Sequence, residues 1–99
     1  MKIRVLHSAI SDLEVGWQFY ERQGPGLGDY FFDSLFSDID ALALHGGVHR
    51  VVHGFHRCLS KRFPYAIYYR LVKEEVLVFR ILDCRRHPKR IAGELGATD

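Results

Sequence analysis

The sequence predicts an α+β domain in which an N-terminal strand and an antiparallel two-helix hairpin precede a three-strand antiparallel meander. It also allows a helical turn or two at the C-terminal end. The first half of the chain carries apolar residues at helical spacing on both sides of a Gly-Pro break, and the second half carries them at every other position. A chain of 99 residues with 47% hydrophobic content suits one domain covering residues 1–99.

Residues 2–7 alternate in the manner of a strand, and a helix is predicted to follow them. Ser8 or Ser11 is the expected N-cap, because residues 11–14 (Ser-Asp-Leu-Glu) have the spacing of a capping box. Residues 23–26 (Gln-Gly-Pro-Gly) end this helix, since proline cannot continue the hydrogen-bond ladder. The apolar face of the helix is formed by Leu13, Trp17 and Tyr20.

A second helix is predicted from Leu27 or Gly28 to Leu44, and its carboxylates at 29, 33 and 40 are expected in water. A short glycine-proline loop between two helices of similar length indicates an antiparallel hairpin that covers one face of the sheet. The apolar stripe of the second helix consists of Leu27, Phe31, Leu35, Ile39 and Leu42. The segment from 45 to 54 is the least regular part and carries the chain to the meander.

The three strands of the meander lie between residues 57 and 90. Alternation predicts that Tyr65, Ile67, Tyr69 and Leu71 pack under the helices, so that Tyr68 and Arg70 point to the opposite, open face. A nearly continuous apolar run follows from 76 to 82, interrupted by Arg80, which is expected beside Arg70.

Positive charge is concentrated in this second half, although the net charge of the chain is only +2. Such a mild excess does not by itself indicate nucleic-acid binding. The open sheet face and the end of the last strand predict a basic surface suited to an anionic or acidic partner. Ordinary solvated charges on an amphipathic sheet are the alternative. The residues of the predicted basic surface are Arg57, Lys61, Tyr68, Arg70, Arg80, Arg85, Arg86 and Lys89.

No metal site or cofactor is predicted. His45, His49 and His53 have the spacing of helical metal ligands, but the neighbouring glycines argue against a helix, and exposed loop histidines are the favoured interpretation. Cys58 and Cys84 are expected to be reduced thiols in a cytoplasmic protein, because no secretory signal precedes the first strand. No apolar run approaches the ~20 residues that cross a bilayer.

Three segments together resemble a known family. Residues 63–70 (FPYAIYYR), an apolar strand and residues 84–90 (CRRHPKR) are similar to the ParE-like, or plasmid stabilisation, branch of the RelE/ParE superfamily of type II toxin–antitoxin toxins. Residues 12–31 resemble the first helix, the Pro-Gly-Leu-Gly turn and the start of the second helix of that branch. The resemblance covers most of the chain, and the predicted order of elements agrees with it.

The resemblance implies a growth-inhibiting toxin that a cognate antitoxin neutralises through an extended C-terminal segment. ParE-like members bind an essential target, of which DNA gyrase is the leading candidate. The alternatives are a RelE-like endoribonuclease, which cuts messenger RNA on the ribosome, and a non-toxic member that only binds a partner.

The sequence departs from the ribonuclease pattern. RelE-like members have an arginine directly after the tyrosine of the central strand, where this chain has Ala66, and a C-terminal acid/base tyrosine that is absent here. If the chain is a ribonuclease, the resemblance assigns catalysis to Arg57, Arg86 and His87, with His87 as the acid/base. We therefore expect a binding protein rather than an enzyme.

Overall fold

The computed structural model describes residues 1–98; Asp99, the last residue of the C-terminal tail, lies outside them. A strand, two helices and a run of consecutive strands follow one another, which confirms the predicted α+β class. In the part of the chain that is described, no helix is both long and apolar enough to cross a bilayer. The strands are β1 (Lys2–Val5), β2 (Val51–Val52), β3 (Phe55–Leu59), β4 (Tyr65–Val72) and β5 (Glu75–Asp83). The helices are α1 (His7–Glu21), α2 (Leu27–Asp40), α3 (Leu42–His45) and α4 (Pro88–Thr98).

The five strands form one sheet in the order β1-β5-β4-β3-β2. The meander is antiparallel, as predicted, whereas β1 pairs with β5 in parallel, with Ile3 opposite Val76. The two-residue strand β2 extends the predicted meander at its outer edge. It is joined to β3 by His53 and Gly54, both with positive φ (53° and 81°), as a tight two-residue hairpin turn requires.

The predicted helix cap is wrong. Helix α1 begins at His7, Leu6 precedes it without a side-chain cap, and Ser11 lies inside the helix. The polar residues of this turn face β5 instead. Strand β1 ends at Val5, and beyond it the edge of β5 has no neighbouring strand. Ser8 Oγ donates to the carbonyl of Phe79 at 2.6 Å, and Asp12 accepts from the amide of Ile81 at 2.9 Å. These two side chains replace the missing strand partners.

Helices α1 and α2 form the predicted hairpin, and glycines let them approach closely. A Cβ at Gly16 would lie 2.5 Å from the fully buried ring of Phe31, and one at Gly28 would lie 2.7 Å from Trp17. The Glu21 carboxylate accepts hydrogen bonds from the amides of Gly26 and Gly28 and so satisfies the first turn of α2. The second helix is interrupted at Ala41, so the predicted span to Leu44 is divided between α2 and α3.

Each face of the sheet carries its own apolar cluster. The larger cluster joins the α1–α2 hairpin to Tyr65, Ile67 and Tyr69, which confirms the predicted inward face of β4 except at Leu71, which is 38% exposed. The smaller cluster lies on the opposite face, which the sequence predicts to be open. Its buried members are Phe55, Ala66, Tyr68, Leu82 and Leu95.

Helix α4 is what closes that second face. The sequence indicates only a helical turn or two after Ile91, whereas the structure has an eleven-residue helix from Pro88. Proline suits the first turn because its missing N–H would have no helical acceptor there. Ile91 and Leu95, four residues apart, turn inward onto the smaller cluster. The sheet is therefore covered on both faces.

We expect Leu95→Ala to loosen α4. Leu95 is 1% exposed, and removing buried leucine atoms costs about 2–5 kcal/mol of unfolding free energy. Amide hydrogen exchange along α4 should accelerate, and the urea midpoint should fall. Gly93→Ala is the matched control, because its Cβ would enter open space within the same helix and should stabilise it by about 0.5–1 kcal/mol. Equal exchange rates in the two variants would show that α4 does not depend on this contact.

Candidate functional site

A β-bulge in β5 determines where Arg80 lies. Tyr68 pairs with Arg80 and Tyr69 with Val78, so Phe79 has no partner residue in β4. The extra residue turns the strand, so that Val78 and Ile81 both reach the larger cluster while Phe79 packs on the smaller one. Arg80 therefore lies opposite Tyr68, on the predicted face of the sheet, while Leu77 lies opposite Arg70. The prediction is wrong in that this face is covered by α4 rather than open.

Arg80 instead joins α1 to α4. Its guanidinium forms a two-point contact with Asp12, Nε to Oδ2 at 2.7 Å and Nη2 to Oδ1 at 2.9 Å. Nη2 also reaches Glu94 at 3.1 Å, and Nη1 reaches the Thr98 hydroxyl at 3.1 Å. The hydrogen bonds that Arg80 donates to Asp12 raise the pKa of Arg80 above its usual value, against the opposite effect of burial. With 17% of its side chain exposed, Arg80 offers little surface to a partner.

Tyr68 is also buried, which corrects its predicted place on an outer surface. Only 2% of the residue is exposed. Arg57 lies against it, donating from Nε to Tyr68 Oη at 3.2 Å and from Nη2 to Cys84 Sγ at 3.5 Å. The hydrogen bond with Tyr68 is the main reason why the pKa of Arg57 is raised. Arg57 and Tyr68 therefore belong to the packing around the smaller cluster.

Arg70 does lie on the α4 side of the sheet, as alternation predicts, but in contact with aromatic rings. Its Cζ is 4.0 Å from the ring centre of Phe55 and 5.2 Å from that of Phe79. Its Nε donates to the carbonyl of Gly54 at 3.0 Å. These contacts fix the guanidinium on the ring faces.

The basic end of β5 is partly neutralised by acids. Arg85 donates two hydrogen bonds to the carboxylate of Asp83, from Nε to Oδ1 at 3.0 Å and from Nη2 to Oδ2 at 2.8 Å. Burial would raise the pKa of Asp83, but the hydrogen bonds and charge of Arg85 outweigh it and the pKa is lowered. Arg86 contacts Glu94 at 3.4 Å. His87 is exposed, and its Nδ1 accepts the amide N–H of Lys89.

The residues of the predicted basic surface are therefore of two kinds, exposed and packed. Lys61 and Lys89 are exposed, and Arg85 keeps 54% of its side chain exposed although it is paired. The others lie in or beside packed layers, and Arg86 is about one-third exposed (31%). The strand alternation does not predict which of these residues are packed, because that depends on the covering helix α4, which carries few apolar residues.

Not all histidines of the irregular segment are exposed, which corrects the sequence interpretation. The Tyr69 hydroxyl lies 2.6 Å from His49 Nδ1 and accepts the amide of Gly47 at 2.9 Å. His56 stacks on the Tyr69 ring and lies 2.7 Å from the His49 carbonyl. His45 and His53 are exposed. Among residues 1–98, no three histidine, cysteine or acidic side chains are grouped as metal ligands.

Acid should weaken this histidine contact. Burial and the nearby His56 and His45 lower the pKa of His49 below its usual 6.5, so the folded state favours the neutral ring. The stabilisation is complete above pH 6.5, the value of the unfolded chain, and is lost as pH falls through the folded pKa. Urea unfolding between pH 8 and 5 should show this loss in the wild type and a smaller loss in His49→Gln. His7→Gln, at an exposed position at the start of α1, should behave like the wild type; a slope unchanged by His49→Gln would contradict the assignment.

Replacing Arg80 should destabilise the fold strongly. Arg80→Met leaves the largely buried carboxylate of Asp12 without its cation and removes one of the arginines that contact Glu94, which costs about 3 kcal/mol. Arg4→Met is the control, since Arg4 is 64% exposed and 3.9 Å from Glu75, a pair expected to contribute below about 1 kcal/mol. Urea unfolding of both variants measures the difference. Similar losses would remove Arg80 from its central role.

Comparison with known proteins agrees with these elements. The profile of the ParE toxin of the type II toxin–antitoxin system parDE matches residues 3–88. A solved structure described as a chromosomal ParDE toxin–antitoxin system from P. aeruginosa is similar with a TM-score of 0.71 and 21% identity, covering 82% of this chain and 92% of the other. No curated protein sequence matches. The chain belongs to the ParE toxin family of type II toxin–antitoxin systems.

Proposed function

We propose that this toxin inhibits growth by binding an essential protein target, with DNA gyrase the leading candidate, and that a cognate antitoxin neutralises it. The observation that carries the proposal is the position of α4. It covers the sheet face on which a ribonuclease would be expected to place its substrate. A toxin that acts by binding needs no open catalytic face and uses its remaining exposed groups.

The ribonuclease alternative requires groups that activate a 2′-hydroxyl, stabilise a phosphate and protonate a leaving oxygen. All three candidates have protein partners: Arg57 contacts Tyr68 and Cys84, Arg86 contacts Glu94, and His87 Nδ1 accepts the amide N–H of Lys89. His87 is the most exposed of the three, whereas Arg57 and Arg86 are partly buried. This arrangement favours target binding over RNA cleavage.

The antitoxin is the second proposed partner. A toxin of a type II system is controlled by a protein, and an extended acidic or amphipathic segment suits the exposed features of this fold. The outer edge of β1 and the edge of β3 beyond the short β2 are places where a strand can be added. Exposed cations in the loop after β3, such as Lys61, favour an acidic segment.

The exposed members of the predicted basic surface are proposed to contact the target. Lys61→Glu combined with Lys89→Glu should weaken growth inhibition by about tenfold or more in inducer dose, because reversed charges repel an acidic surface. Lys73→Glu is the matched control: it makes the same change at an exposed site in the β4–β5 turn. Expression level and circular dichroism show whether each variant folds. Undiminished inhibition by the folded double variant would exclude these lysines from the contact.

The two modes of action are separated with purified components. A gyrase poison traps cleaved DNA when supercoiled plasmid, gyrase, ATP and the protein are incubated together, and leaves ribosome-bound message intact. A ribonuclease shows the opposite result, and its cleavage disappears in Arg86→Ala or His87→Ala. Expression without any effect on growth, DNA or message would identify a member that only binds a partner.

A further inference from the structure

Aromatic side chains of α1, α2 and the β3–β4 loop meet at one end of the molecule. Tyr20, near the end of α1, is at the centre, 5.1 Å from the ring of Phe19, 5.1 Å from that of Phe31 and 4.8 Å from that of Phe63. Phe63 belongs to the β3–β4 loop and also packs 5.4 Å from Tyr30 in the first turn of α2. These rings form a connected row from Phe19 through Tyr20 and Phe63 to Tyr30.

The row passes from the core to the surface. Phe31 is fully buried and Tyr20 is 9% exposed, whereas Phe19 is 43% and Tyr30 49% exposed. Phe19 contacts the nearly buried Tyr20, and Tyr30 contacts the partly buried Phe63, which itself packs on Tyr20 and Phe31, so the outer rings lie on a packed base. A large apolar surface that needs no ordering on binding is what strong contact residues provide. Contiguous exposed aromatic rings also mark interaction sites on soluble proteins.

Arg85 adds a fixed cation to this row. Its Cζ lies 5.9 Å from the Phe19 ring centre, and its Nη2 is 3.5 Å from the Tyr20 hydroxyl. The two-point contact with Asp83 holds the guanidinium in place while 54% of the side chain stays exposed. Arginine and tyrosine are the residue types most enriched among dominant contacts of protein interfaces.

The charges around the row indicate the partner. Arg62 precedes Phe63, Arg22 follows α1, and both are exposed. Of the neighbouring acids, Asp83 is paired with Arg85, and Glu21 accepts from backbone amides of the α1–α2 loop. Asp33, one turn after Tyr30, is an exposed carboxylate beyond the row. Asp29, next to Tyr30, is exposed as well, so the exposed carboxylates lie at the Tyr30 end of the row. The exposed cations Arg22 and Arg62 lie at the Phe19–Phe63 end, which complements acidic groups of a partner at that end.

We propose that Phe19, Phe63, Tyr30 and Arg85 form the surface by which the toxin docks onto its target, and that the target presents an apolar depression with acidic residues on the side that meets Arg85 and Arg62. This inference rests on the proposed function and names the surface that performs it. The aromatic rings supply buried apolar area, and Arg85 with Arg62 supplies the charge. Other apolar side chains of the chain are exposed too, but Phe19 and Tyr30 are exposed aromatic rings that pack on further aromatic rings.

The test uses the full chain and purified gyrase. Phe19→Ala combined with Tyr30→Ala should weaken binding by about tenfold or more, and should weaken growth inhibition to match. Val15→Ala is the control, since Val15 is 60% exposed and lies one turn before Phe19 on α1. Arg62→Glu should also weaken binding, with a reduced dependence of affinity on salt. Circular dichroism and urea unfolding verify that the variants fold.

Each result decides between the two proposals. Loss of binding and inhibition in the double variant but not in Val15→Ala supports the docking surface. Full binding and inhibition by the folded double variant overturns it and leaves gyrase as target. If the wild type inhibits growth without binding gyrase, the proposed target is wrong, and the growth assay of the same variants still decides the surface. A wild type without effect on growth overturns both.

Discussion

Arg80 is the residue through which the two helical layers of this protein are connected. Its guanidinium holds Asp12 of α1 on one side and Glu94 and Thr98 of α4 on the other, at the edge of β5 beyond the end of β1. A planar group with several fixed donors can satisfy partners in two directions at once, which a lysine cannot do with the same geometry. The bulge at Phe79 is what brings Arg80 to this edge. This side chain therefore links strand β5 to helix α1 on one side and to helix α4 on the other.

The same arrangement decides which surface remains for function. Helices α1 and α2 cover one face of the sheet and α4 covers the other. The tyrosine and arginines of the central strands therefore contact other residues of the fold: Arg57 donates to Tyr68, and Arg70 lies over the Phe55 ring. Groups that would serve catalysis on an open sheet are here part of the packing. Part of the exposed surface is the end where the α1–α2 loop, the β3–β4 loop and the β5–α4 turn meet. There, aromatic rings anchored in the core reach the solvent beside Arg85.

Much of the fold could be predicted from residue spacing and propensity. Period-two alternation identified β4 and its inward residues Tyr65, Ile67 and Tyr69, and helical spacing identified the hairpin with Leu13, Phe31 and Leu35. The predictions that were wrong share one cause, which is contact between residues far apart in the chain. Ser11 and Asp12 have capping-box spacing, yet Asp12 serves β5, sixty-nine positions away along the chain. Tyr68 and Arg80 lie on the face that alternation predicts to be open, but helix α4, which is distant from Tyr68 along the chain and too weakly patterned to predict, covers that face.

The sequence by itself determined the class of fold, the order of its elements and, through residues 63–70 and 84–90, the family. These properties depend on local spacing and on motifs, which are visible along the chain. The site depended on contacts between distant residues. Helix α4 has only Ile91 and Leu95 to mark its inner face, too short a pattern to distinguish a packed helix from a frayed tail. The parallel pairing of β1 with β5 likewise cannot be predicted from a local residue pattern, because it joins residues far apart in the chain. Tertiary structure therefore decided which arginines stabilise the fold and which are left to meet a partner.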